Sequence, residues 1–115
     1  MSRDEIAIER VVEERGLKAP RVTPQRVDAQ IVAEQYYVFP GTTLTVCALT
    51  LANGFVVTGE SAAASPENFD EPLGQKIARD NARAKIWALE GYLLRSGLAA
   101  VRQTAHEAEC RSGVD

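Results

Sequence analysis

The sequence predicts an α+β fold in which an antiparallel β-hairpin or small sheet packs on a long C-terminal helix, with short helices ahead of it. Three observations carry this prediction. Between Tyr36 and Ala63 the side chains alternate with period two and β-branched residues dominate. Asn53-Gly54 divides that stretch into two apolar runs. From Asp70 to about Ser96 the period becomes helical. The 115 residues suit one hydrophobic core, and shares of 45% apolar and 25% charged residues are those of a globular domain.

Residues 4 to 15 set Ile6, Ile8, Val11 and Val12 among charges at roughly helical spacing, and Gly16 follows as a stop, so a short amphipathic helix is expected there. Lys18 to Val22 lacks periodicity, which makes residues 1–22 an N-terminal helix and linker. Thr23-Pro24 offers an N-cap followed by a first-turn proline. A second helix is expected from Pro24 to about Gln35, with Val27, Ile31 and Glu34 on one side. Residues 23–97 form the core domain, and 98–115 form a weakly helical tail.

In the hairpin, Asn-Gly supplies both φ > 0 positions of a type I′ turn. That turn sets Leu51 opposite Val56, Thr50 opposite Val57, Ala48 opposite Gly59 and Cys47 opposite Glu60. Leu44, Val46, Ala48, Thr50, Phe55 and Val57 then share the expected core face. The opposite face, with Thr45, Cys47, Leu49, Leu51 and Val56, is too apolar to be simply solvated. Asp70 is the expected cap of the long helix, Pro72 fits its first turn and Gly97 is its expected stop.

On that helix Ala78, Ala82, Ile86, Leu89 and Leu93 fall on one stripe that satisfies the hairpin. A second apolar seam, Leu73, Ala84, Trp87, Gly91, Leu94 and Leu98, crosses another side. Either a second copy of the chain or the N-terminal helices cover it; exposed stripes of this kind mark interfaces, which favours a homodimer or higher oligomer.

Composition excludes several functions. A net charge of −3 with dispersed basic residues gives no footprint for duplex DNA or RNA. Cys47 and Cys110 lack the spacing of a zinc site or a disulfide framework, and both are expected as free thiols. No run is long and apolar enough to span a membrane, and Met-Ser-Arg-Asp-Glu is too charged for a signal-peptide core, so a cytoplasmic location is expected.

No catalytic set is legible. The one histidine, His106, lies in the tail, away from any serine or cysteine of the core. Glu60, Glu67 and Asp70 form either a carboxylate or metal cluster or, more simply, a cap and two exposed acids. Neither a phosphate-binding glycine motif nor a cofactor signature is present, and no metal is expected. Phe69, Tyr36 and Tyr37 do offer faces to a base, and Lys76, Arg79, Arg83 and Lys85 offer cations near the helix start. The competing reading is that Phe69 staples the helix start and the cations are a solvated face.

Five segments carry a resemblance: Tyr37-Val-Phe-Pro-Gly-Thr-Thr-Leu-Thr-Val-Cys47, Leu51-Ala-Asn-Gly-Phe55, Gly59-Glu-Ser61, Pro66-Glu-Asn-Phe-Asp70, and the run from Lys76 to Leu94. Together they resemble a family of small tailed-phage proteins, which is in turn similar to the Thoeris anti-defence sponge. That sponge sequesters cyclic ADP-ribose isomers made by bacterial TIR-domain enzymes and, in some members, cyclic oligonucleotides of the CBASS system. The resemblance implies a non-enzymatic homo-oligomer in the infected bacterial host, with nucleotide pockets between protomers. It implies that Phe69 stacks on adenine, that Asn81 reads the base edge, and that arginines such as Arg79, Arg83 or, more remotely, Arg21 hold phosphate; Lys76 and Tyr36 complete the expected ligand set. Two other classes stand beside it. One is a protein-binding inhibitor or adaptor gripping a host protein; the other is a small cyclic-nucleotide phosphodiesterase, which the lone tail histidine disfavours.

Overall fold

The computed structural model describes residues 3–112, with side chains described for residues 4–104. Its elements are α1 (Arg3–Arg15), α2 (Pro24–Ala29), β1 (Ile31–Val38), β2 (Leu44–Leu51), β3 (Val56–Ala62), a single 3-10 turn at Pro66–Asn68, and α3 (Glu71–Ser112). Among the described residues the strands form one antiparallel sheet in the order β1-β2-β3, and α3 lies across one face of it. This is the α+β arrangement expected from the sequence.

Local chemistry sets the helix ends. Thr23 caps α2 by accepting the Arg26 N–H on its hydroxyl at 3.1 Å, with Pro24 in the first turn. Asp70 caps α3 by accepting the Leu73 N–H at 3.1 Å. Gly16, at φ +63°, closes α1.

The core joins Cys47, Leu49, Leu51 and Val57 of the sheet to Ala78, Ala82 and Ile86 of α3, and Val27 of α2 closes one side. Burying a large apolar side chain contributes about 1.5–3 kcal/mol. Gly59 lets the two layers meet: a Cβ built there falls on the backbone of α3, with the Ala82 Cα only 2.8 Å away.

Three expectations change. The second helix stops at Ala29, and Ile31–Val38 is a third strand instead of its continuation to Gln35. Ala33, Glu34 and Gln35 accept a helix well, but β2 offers an open edge. Pairing along it satisfies both backbones, and Ala52 N–H already donates to the Gln30 carbonyl at 2.8 Å.

The hairpin register also slips by one residue, since Thr50 faces Val56, Leu49 faces Val57 and Cys47 faces Gly59. Of the two turn residues only Gly54 has positive φ, at +89°. The Leu51 N–H bonds the Phe55 carbonyl and the Gly54 N–H bonds the Leu51 carbonyl, both at 2.8 Å, which makes Ala52-Asn53-Gly54 a three-residue loop. Thr45, Cys47, Leu49 and Leu51 therefore face α3, and the expected core face of Leu44, Val46, Ala48 and Thr50 points outward. Phe55 goes with it and is 54% exposed, whereas Val57 stays in the core. Small Ala78 and Ala82 on α3 leave room for Leu49 beneath them, and this fit decides the face.

Finally, α3 does not stop at Gly97 but runs through it to Ser112. One glycine costs a helix about 1 kcal/mol, which the alanine, leucine and arginine around it offset. Ala78, Ala82 and Ile86 take the predicted core positions, but Leu89 and Leu93 are exposed because the sheet has ended at the hairpin tip. Glu90 takes the next inward position, only 6% exposed and paired with Arg26 at 2.8 Å. From Arg95 to Thr104 every side chain is exposed. The radius of gyration is accordingly 20.0 Å, against about 13 Å for a compact chain of this length.

Gly59→Ala forces α3 off the sheet and is expected to destabilise the fold by about 1–3 kcal/mol or more. Gly54→Val meets no neighbour, yet its positive φ costs about 1 kcal/mol or more. Thermal melting checks both; an unchanged midpoint for Gly59→Ala contradicts the close contact of β3 and α3.

Candidate ligand-binding site

Spacing along α3 places Lys76, Arg79, Asp80, Arg83, Ala84 and Trp87 on one flank of the helix. There they line a groove of about 550 Å³ whose other wall holds Glu5 of α1 and Asp28 of α2. Three cations thus meet three carboxylates around an indole.

Every one of these cations has an acidic partner. The Arg83 guanidinium donates to both oxygens of Glu5, and to Asp28 through Nε at 2.7 Å and Nη2 at 3.3 Å. Arg79 donates to Glu34 of β1 at 2.7 Å, and Lys76 approaches Asp80 at 3.5 Å. Bonds to Glu5 and then Asp28 raise the Arg83 pKa further above its ordinary value. The bond to Glu34 raises Arg79 likewise, while Arg83 holds the Asp28 carboxyl below its usual range. Arg21, the remoter candidate, forms a bidentate pair with Glu9 at 2.7 and 2.6 Å.

Tyr36 sits on the helix-facing side of β1, opposite Cys47. Burial pushes its hydroxyl up to about 12 and raises the buried Cys47 thiol as well.

Phe69 and Asn81 lie elsewhere. Phe69 ends the 3-10 turn and lines a narrow cavity of about 110 Å³ with Leu73, Gly74 and Ile77. Asn81 donates its amide to the Glu60 carbonyl of β3 at 2.8 Å. Asn81 and Arg83 are two residues apart, so they point about 160° apart around the helix. The chain therefore gathers Lys76, Arg79 and Arg83 on the flank of α1, α2 and β1, and keeps Phe69 and Asn81 on the flank of β3.

Sequence reasoning missed Glu5, Asp28 and Asp80 as groove residues and read Trp87 only as part of a seam. Glu5 and Asp28 come from separate elements, and no local pattern announces their meeting with Arg83; Asp80 follows Lys76 by one turn of α3. Of the seam, Ala84 and Trp87 line the groove together with Glu5 and Asp28 of the N-terminal helices, whereas Leu98 and Val101 are exposed.

The acids Glu60, Glu67 and Asp70 do not converge. Asp70 caps α3, Glu67 accepts from the Ser65 hydroxyl, and among the described residues no group of three potential ligands gathers as a metal site would require. His106 and Cys110 lie outside the residues whose side chains are described. No described helix is long and apolar enough to cross a membrane.

The molecule is thus an α+β domain with a charge-compensated groove along one long helix. It belongs to the Phage protein (N4 Gp49/phage Sf6 gene 66) family, whose model matches residues 22–98. No curated protein and no solved structure matches the chain. The matched span holds α2, the sheet and the part of α3 that packs on it, and leaves α1 outside.

The attachment of α1 is expected to depend on pH. Glu9 titrates below its ordinary value of 4.5 in the folded chain, because of its hydrogen bond to Arg21. Its contribution is therefore complete above that value and is lost as the pH falls through the lower folded one. Below about pH 4, amide protection is expected to fail in α1 before it fails in the sheet. Loss of protection everywhere at one pH contradicts this order.

Proposed function

We propose that this phage protein is a sponge: it binds a phosphate-bearing nucleotide signal, of the cyclic ADP-ribose or cyclic oligonucleotide class, and withholds it without cleaving it. The groove is the observation that carries the reading. Lys76, Arg79 and Arg83 supply phosphate donors beside the Trp87 ring, and a guanidinium fork matches phosphate oxygens as well as it matches carboxylate. Membership of a phage protein family is compatible with this reading, and the ligand class follows from the resemblance of that family to the Thoeris anti-defence sponge drawn from the sequence.

Division of the ligand set across α3 gives self-association a role in this proposal. In this proposal a second protomer packs along the Trp87, Gly91, Leu94 and Leu98 seam in the orientation that sets the Phe69 and Asn81 flank of one chain beside the cations of the other. Phosphate is then held by one protomer and the base by its partner. Such a shared pocket is self-complementary under two-fold symmetry.

Titration calorimetry with cyclic ADP-ribose isomers, followed by heating and recovery of the ligand, tests the proposal. Stoichiometric binding with intact ligand recovered is expected. Altered nucleotide means an enzyme, and no binding by the folded chain turns attention to an adaptor that uses the uncovered outer sheet face. Arg83→Ala and Phe69→Ala are each expected to weaken binding at least about tenfold, since one base-stacking ring contributes about 1–3 kcal/mol. Trp87→Glu is expected to shift the assembly toward monomer, and light scattering that finds its mass unchanged contradicts the seam.

A further inference from the structure

We propose that α1 is a tethered acidic lid, and that its Glu5 carboxylate holds Arg83 in the place that a ligand's phosphate takes when the lid is displaced. The proposal rests on the nucleotide-binding reading above and adds a regulatory element to it.

Two observations converge on α1. Its grip on the domain is centred on charge: Glu5 engages Arg83 in a bidentate pair, with both side chains close to nine-tenths covered, and Glu9 engages Arg21 at 2.6 Å. Most of its apolar residues, meanwhile, stay out in solvent, with Ile6, Ile8 and Val11 exposed at 46, 60 and 42% and only Val12 half-buried. The Glu9–Arg21 pair is partly open to solvent and is a weak hold, so the attachment of α1 depends chiefly on the covered Glu5–Arg83 pair, which an incoming anion can exchange. A helix attached in this way opens far more readily than one packed into the core, and α2, the sheet and α3 keep their core without it.

The chemistry of exchange at Arg83 is favourable. Asp28 takes Nε and one position on Nη2, which fixes the plane of the guanidinium. Glu5 takes Nη1 and the rest of Nη2. When α1 swings away, those donors are left oriented and unoccupied, and two phosphate oxygens can take the place of the carboxylate pair. The groove changes with it, from three cations against Glu5, Asp28 and Asp80 to three cations against two carboxylates. The closed lid lowers apparent affinity by the fraction of time it is closed, so α1 sets the ligand concentration at which the protein begins to fill.

The test uses the full chain and two probes, cyclic ADP-ribose and inorganic pyrophosphate. Glu5→Gln is expected to speed hydrogen exchange in α1, leave the sheet and α3 protected, and tighten probe binding about fivefold. Glu9→Gln loosens the second tether without touching Arg83 and is expected to act in the same direction by a smaller factor. Saturating probe is expected to speed α1 exchange in the parent chain. Equal affinity of parent and Glu5→Gln for a probe that binds overturns the lid and leaves the nucleotide reading standing. Tighter binding by Glu5→Gln with α1 exchange unchanged, and no effect of Glu9→Gln, overturns it too, because Glu5 then acts only as a charge. If neither chain binds either probe, the lid and the nucleotide reading fall together.

Discussion

The contact of Gly59 with the backbone of α3 at Ala78 and Ala82 fixes the geometry of everything around it. Because no Cβ stands between them, strand and helix meet backbone to backbone, and α3 turns its small residues toward the sheet. Once that rotation is set, the flanks of the helix follow from its period. Arg79 and Arg83 swing toward β1, α2 and α1, and Asn81 toward the Glu60 carbonyl on β3. A helix rotated by a few tens of degrees would bury a charge or lose the apolar contacts, and either change is costly.

Charge compensation is the second organising feature. The basic side chains of the groove are not left waiting in solvent for an anion. Arg79 and Arg83 are each oriented by carboxylates from other elements, Arg83 by two of them, and Lys76 approaches Asp80 one turn along its own helix. Such pairing fixes side-chain direction and reduces the rotamer entropy that a ligand would otherwise have to remove. It also means that any anion binding here must outcompete a carboxylate, and the carboxylate on the least firmly packed element is Glu5. In the proposed sponge, holding power and release of the lid are therefore set at the same guanidinium.

How α3 ends bears on the proposed assembly. Its first half is held by the sheet, but the second carries Leu98 and Val101 outward, exposed among the described residues. An isolated helix of that length is marginal in water, so a partner that buries the seam would stabilise it. A second copy is the partner proposed, since the same seam recurs on it by symmetry.

By itself the sequence determined the features that depend on near neighbours. Asp70 and Thr23 as caps, Asn53-Gly54 as a turn, the period-two stretch, and Ala78, Ala82 and Ile86 as the buried stripe are all local choices of backbone and side chain. The cation cluster of Lys76, Arg79 and Arg83 was legible for the same reason, because helical spacing alone puts those residues on one flank. Tertiary structure decided what depended on a distant partner. Residues 31–35 became strand because β2 had an edge to satisfy, and the hairpin took the register whose larger face fits beneath two alanines. Glu5, Asp28 and Glu34 joined the site from three separate elements. Ion pairs between residues as far apart as Glu5 and Arg83 leave no periodicity in the chain, so only the folded arrangement reveals which acid each arginine meets.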